Sequence, residues 1–121
     1  MRYMMMIKSC SDHEAGIPPK PELMAAMGKL TEEMMKAGVV LATGGLQPSS
    51  QGARLRYSAG KRTLIDGPFT EAKELIGGYA IVQAQSRDEA IQLANRVVEV
   101  HIQAGVPEFE MEIRPLFDPP G

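Results

Sequence analysis

Several things are scarce in this chain of 121 residues. There is one cysteine, Cys10, so no disulfide can form within the chain. The only histidines, His13 and His101, are far apart in sequence, and no Cys/His spacing suits zinc. No metal and no cofactor is expected. Tryptophan is absent and aromatics make up 5% of residues, so few large rings are available to organise a core or to stack on bases. The formal net charge is -2, which argues against the broad basic surface that phosphate-backbone binding requires. No apolar run approaches the roughly 20 residues of a membrane span. The apolar start Met1-Arg2-Tyr3-Met4-Met5-Met6-Ile7-Lys8 is too short for a secretory core and lacks a small-residue cleavage site. A cytoplasmic protein that binds neither nucleic acid nor membrane is the expectation.

The composition is 44% hydrophobic and 23% charged, which supports a buried core in a single domain over 1–121. Residues 2–9 read as a strand covered on both faces, because Tyr3 to Ile7 are apolar without a break. After a loop over 10–20, Leu23, Met27, Leu30 and Met34 recur at helical spacing. Pro21 suits the first helical position, so a helix is predicted over 21–37, ended by Gly38. Val39 to Ala42 form the next strand. A hairpin follows, with Ala53 to Tyr57 outgoing and Arg62 to Ile65 returning. Tyr79 to Ala84 make another strand. Ser86 with Glu89 forms a capping box for a helix reaching about Ala104. Phe109, Met111 and Ile113 alternate with charged residues in a final strand, and Pro115 with the Pro119-Pro120-Gly121 tail ends it. The nine methionines read as adaptable core packing.

Two strand–helix–strand units around a hairpin predict an α+β, ferredoxin-like sandwich, with an antiparallel sheet and two helices on one face. The other face stays uncovered. Apolar residues on both sides of the strands at 2–8 and 79–84 make that exposure costly, at roughly 25 cal/mol per Å². A homodimer with its sheets face to face or sharing edges is therefore expected.

The chemistry-bearing residues gather between Asp66 and Tyr79. Asp66 closes an apolar strand and opens the turn Gly67-Pro68. It reads as a general base if apolar walls raise its pKa, or as a turn residue accepting its own backbone amides. Lys73 and Glu74 suit the orientation of a polar ligand, or form a solvated turn with a weak ion pair. Gly77-Gly78 reads as a turn or bulge entering the strand, or as a close backbone approach to a ligand. Tyr79 offers a hydroxyl at a cleft rim or packs as an ordinary aromatic. His13 reads as a side chain that could titrate near neutrality and shuttle protons, or as an exposed loop histidine, which is the preferred reading, and His101 as a charge that suits a helix C-terminus. Arg54, Arg56, Lys61 and Arg62 make the hairpin basic. Asp66 as catalytic base, with Lys73, Glu74, Gly78 and Tyr79 around a small organic ligand, is the site expectation, and the chemistry is metal-free acid–base catalysis.

These residues also resemble a known family. Asp66-Gly67-Pro68-Phe69, with Glu71, Lys73, Glu74 and Gly77-Gly78-Tyr79, is similar to the signature of the DGPF group of YCII-related proteins. Met1-Arg2-Tyr3-Met4, Gly45-Leu46-Gln47-Pro48 and Glu112-Ile113-Arg114-Pro115 extend the likeness over nearly the whole chain. The resemblance implies a dimeric ferredoxin-like fold of the dimeric α/β-barrel type and names no reaction. Members of the group often accompany alternative sigma factors, which implies a regulatory interaction module as the alternative function. YCII proteins in the narrow sense carry a histidine in the first helix and an aspartate after the second strand. Here the helix from Pro21 has no histidine, and Ser49, Ser50 and Gln51 follow Pro48, so that acid–base dyad does not carry over.

Overall fold

The structure, a computed structural model, describes residues 1–117; the expected end at Pro119-Pro120-Gly121 lies outside the described residues. Four strands form an antiparallel sheet: β1 (Arg2–Lys8), β2 (Val40–Gly45), β5 (Ile76–Gln83) and β6 (Met111–Pro115), in the order β2-β5-β1-β6. A separate two-stranded ribbon pairs β3 (Ala53–Ser58) with β4 (Lys61–Asp66). The helices are α1 (Ser11–Glu14), α2 (Pro21–Lys36) and α3 (Arg87–Gln103). The protein is an α+β fold of ferredoxin-like type.

Local chemistry sets the element ends. Pro21 opens α2, and Gly38 at φ 73° follows its close in a conformation that other residues avoid. Ser86 caps α3 by accepting from the Glu89 amide at 3.1 Å. Strand alternation then sorts the side chains. Tyr3, Met5 and Ile7 pair with Val82, Ala80 and Gly78, which places them on the helix-facing side of the sheet. Tyr3, Met5, Val40 and Val82 join Leu30 and Met34 of α2 and Ala90, Ala94 and Val97 of α3 in one core. The opposite face carries Met4, Met6, Tyr79 and Ile81.

Four boundaries differ from the sequence reading. Residues 10–20, expected as a plain loop, contain α1, whose four residues are too few to show helical periodicity. Gly44 and Gly45 extend β2, and Gly77 and Gly78 belong to β5 rather than to a turn before it. Gly78 pairs with both Ile7 and Gly45, so the ladder overrides the weak strand propensity of glycine. The last strand begins at Met111, and Phe109 instead stacks on His101 with ring centroids 3.8 Å apart.

The β3–β4 ribbon is solvated on both sides. Leu55 and Leu64 face each other across the ribbon, next to the Tyr57–Arg62 pair, so one face is apolar. Leu55, Tyr57 and Leu64 are 81%, 73% and 62% exposed. A two-stranded hairpin has little stability by itself. Its base must therefore be fixed to the body.

Candidate functional site

That attachment is the Asp66–Phe69 turn. The Glu14 carboxylate of α1 accepts from the Ser49 amide at 2.9 Å and from the Ser49 hydroxyl. Ser49 Oγ in turn accepts from the Phe69 amide at 3.0 Å. The Gly67 amide donates to the Gly52 carbonyl at 3.0 Å. A Cβ at Gly67 would stand 1.7 Å from the Ser49 carbonyl oxygen, so only glycine lets the two backbones pass this closely. The Arg54 guanidinium lies 3.9 Å from the centre of the Phe69 ring, tying the ribbon to the same point. These bonds hold the Glu14 carboxyl below its ordinary range: the Ser49 hydroxyl contributes most, then the Ser49 amide, against some desolvation, with His13 adding a smaller attraction.

Asp66 stands apart from this network. It is exposed and makes no side-chain hydrogen bond to its own turn among the described residues. Ser49 does the work that the sequence reading gave to Asp66. Asp66 also lines neither of the two clefts described below.

The smaller cleft, about 280 Å³, lies beside the turn between Glu14, Leu46, Ser49, Phe69 and Glu74. The larger, about 1080 Å³, runs between the sheet and the helices. Its walls include Met5, Ile7, Met27, Leu30, Met34 and Met111. Methionine thus serves two purposes here: Met5 and Met34 belong to the core and also face the cleft. Lys73, Gly78 and Tyr79 line the larger cleft, whereas Glu74 lines the smaller. The Tyr79 ring lies across Gly44, where an added Cβ would come within 3.0 Å of it. Its strand register sends that ring to the sheet face opposite the core. The expected residues are therefore divided: Lys73 and Gly78 share the large cleft, Tyr79 gives it backbone, and Glu74 and Asp66 lie elsewhere.

Sequence reasoning missed Ser9 and preferred an exposed loop for His13. Both line the large cleft where β1 gives way to α1. Ser9 is buried, and among the described residues neither its Oγ nor His13 Nε2 has a hydrogen-bond partner. His13 is not the exposed loop histidine that its charged neighbours suggested; it is half-buried in a short helix. Only its adjacency to the end of an apolar strand hinted at this. His101 also lines the cleft, but its Nδ1 lies 2.8 Å from the Val97 carbonyl and its ring is stacked on Phe109. Among the described residues, no three His, Cys, Asp or Glu side chains gather in a metal-binding arrangement. No helix among the described residues is long and apolar enough to cross a membrane.

The YCII-related domain matches residues 1–112, nearly the whole chain. The chain belongs to the YCII-related family. An uncharacterized protein of Rhizobium meliloti (strain 1021) is 31% identical to it over 94 residues, covering 78% of this chain and 73% of the relative. Within this YCII-related protein, the Asp66–Phe69 turn acts as a joint between ribbon and body.

Proposed function

We propose that this YCII-related protein binds a small organic molecule in the large cleft between the sheet and α2. The observation that carries the reading is the cleft itself, about 1080 Å³ with walls of Met, Leu and Ile and polar side chains concentrated where β1 meets α1. Sites for small molecules are typically concave and apolar with a few convergent polar groups. Metal-free acid–base chemistry in this cleft falls to His13, the titratable side chain with a buried ring nitrogen there, rather than to Asp66. A thermal-shift screen against a metabolite library tests the reading. Hits that stabilise the wild type and Asp66→Asn, and that fail with Met27→Trp, support it. A library without hits, or hits that survive filling the cleft at Met27, would overturn it.

A second copy of the chain is the partner we propose for the exposed ribbon. The ribbon carries Arg54, Arg56, Lys61 and Arg62 against Asp66, while the whole chain has a net charge of -2, so the body is acidic and complements it. The apolar face at Leu55, Tyr57 and Leu64 supplies area to bury. Sedimentation equilibrium checks this: a dimer that Leu55→Glu dissociates is the expected result. A wild-type monomer that captures a different polypeptide through the same face would favour the regulatory reading.

A further inference from the structure

We infer that the β1–α1 end of the large cleft takes the carboxylate of an amphipathic organic acid whose apolar part lies against the methionine walls. The inference rests on the reading of this cleft as a ligand site. Among the described residues, Ser9 is the one polar residue in the buried class, at 7% exposure, and its Oγ is unpaired. Its amide donates to the Leu75 carbonyl at 2.9 Å. His13 Nε2 is a second unpaired polar atom at the same place. Unpaired buried polar groups are costly and uncommon, and two together mark a site whose partner comes from outside the chain.

Gly77 connects the two. A Cβ there would lie 3.6 Å from His13 Nε2 and 3.5 Å from the Ser9 Cα, ordinary contact distances. Gly77 itself lines the large cleft beside both groups. Ser9 O–H and a protonated His13 Nε2 are both donors, so they suit an acceptor oxygen. Lys73 brings a cation to the same end. It stands in the short turn Ala72–Glu74, immediately before the Leu75 carbonyl that holds Ser9, and it forms no salt bridge among the described residues. Of the acidic groups on this stretch, Glu14 is engaged by Ser49. Asp12, Glu108 and Glu110 also border the cleft, Asp12 on the exposed side of α1. Hydrogen bonds to an ionised acceptor are about twice as strong as neutral ones, which favours a carboxylate over an amide or alcohol oxygen.

The test is isothermal titration with octanoate, octanamide and octan-1-ol, probes of one chain length with different head groups. Octanoate should bind the wild type about 10-fold more tightly than either neutral probe, the discrimination that a charge-assisted pair of hydrogen bonds provides. Ser9→Ala, His13→Leu and Gly77→Ala should each remove most of that preference for octanoate over the neutral probes. Gly77→Ala introduces no clash, so it keeps the test decisive if either of the other variants folds poorly. Equal binding of octanoate and a neutral probe, or an octanoate preference that survives all three substitutions, would overturn the carboxylate assignment and leave the cleft reading standing. Absence of binding by every probe, together with no hit from the library, would overturn both.

Discussion

Two polar sites lie close to α1, and they are built in opposite ways. At the Asp66–Phe69 turn, polar groups meet partners: Glu14 holds Ser49, Ser49 holds Phe69, and Gly67 reaches Gly52. At the end of the large cleft, Ser9 Oγ and His13 Nε2 have none among the described residues. Both arrangements involve neighbouring residues of one short helix, His13 and Glu14. A satisfied network fixes the chain in place, whereas unsatisfied groups at a cleft are free to meet a ligand. The Asp66–Phe69 part of the signature therefore serves architecture, while Lys73, Gly77 and Gly78 from its second half line the large cleft with Ser9 and His13.

Substitutions at the two sites test this contrast. Gly67→Ala should have the largest effect, about 3 kcal/mol of destabilisation, since its Cβ meets main-chain rather than side-chain atoms and neither backbone yields cheaply. Urea unfolding measures the loss, and hydrogen exchange should show the ribbon at 53–66 opening first. Ser49→Ala should cost about 1–3 kcal/mol, because it leaves the Phe69 amide and the Glu14 carboxylate short of a partner. Ser9→Ala should cost nothing measurable, within about 0.5 kcal/mol, because it removes an unpaired hydroxyl. A Ser9→Ala loss as large as that of Ser49→Ala would erase the distinction between the sites.

Acid sharpens the same comparison. The folded state holds the Glu14 carboxyl below its ordinary value of 4.5, so the folded state binds fewer protons there than the unfolded chain. The contribution is complete above that value and is lost as pH falls through the lowered one. Melting curves of wild type and Glu14→Gln should therefore differ most above pH 4.5 and converge in stronger acid. Arg54→Ala should have a smaller effect, about 0.5–1 kcal/mol, which is what an exposed cation over an aromatic ring contributes. Asp66→Asn comes last, within about 0.5 kcal/mol and without change in ligand response, as befits an exposed side chain away from both clefts.

Much of the fold was legible because it repeats. Leu23, Met27, Leu30 and Met34 announce α2, Ser86 marks the start of α3, and unbroken apolar runs mark β1 and β5. The errors fell where periodicity is too short or too weak to read. α1 spans a single turn, and Gly77-Gly78 looks like a break until β1 and β2 pair with it. The site was less legible. Lys73 and Gly78, singled out from the density of charge and glycine in their segment, line the large cleft. Asp66 drew attention for the same reason, yet its ribbon carries it away from both clefts. Ser9 and His13 were unreadable as a pair because their shared environment comes from Gly77, which is remote in sequence.

By itself, the sequence determined the order of elements, the two helices, the apolar faces and the family, since these depend on local spacing and on residue types met one at a time. Only the tertiary structure decided which polar groups are satisfied. Glu14 and Ser49 lie 35 positions apart, and Ser49 and Phe69 lie 20 apart, so their bonds exist only once β1, β2 and the ribbon have met. Whether a serine acts as a joint, as Ser49 does, or lines a cleft unpaired, as Ser9 does, depends on neighbours that folding supplies.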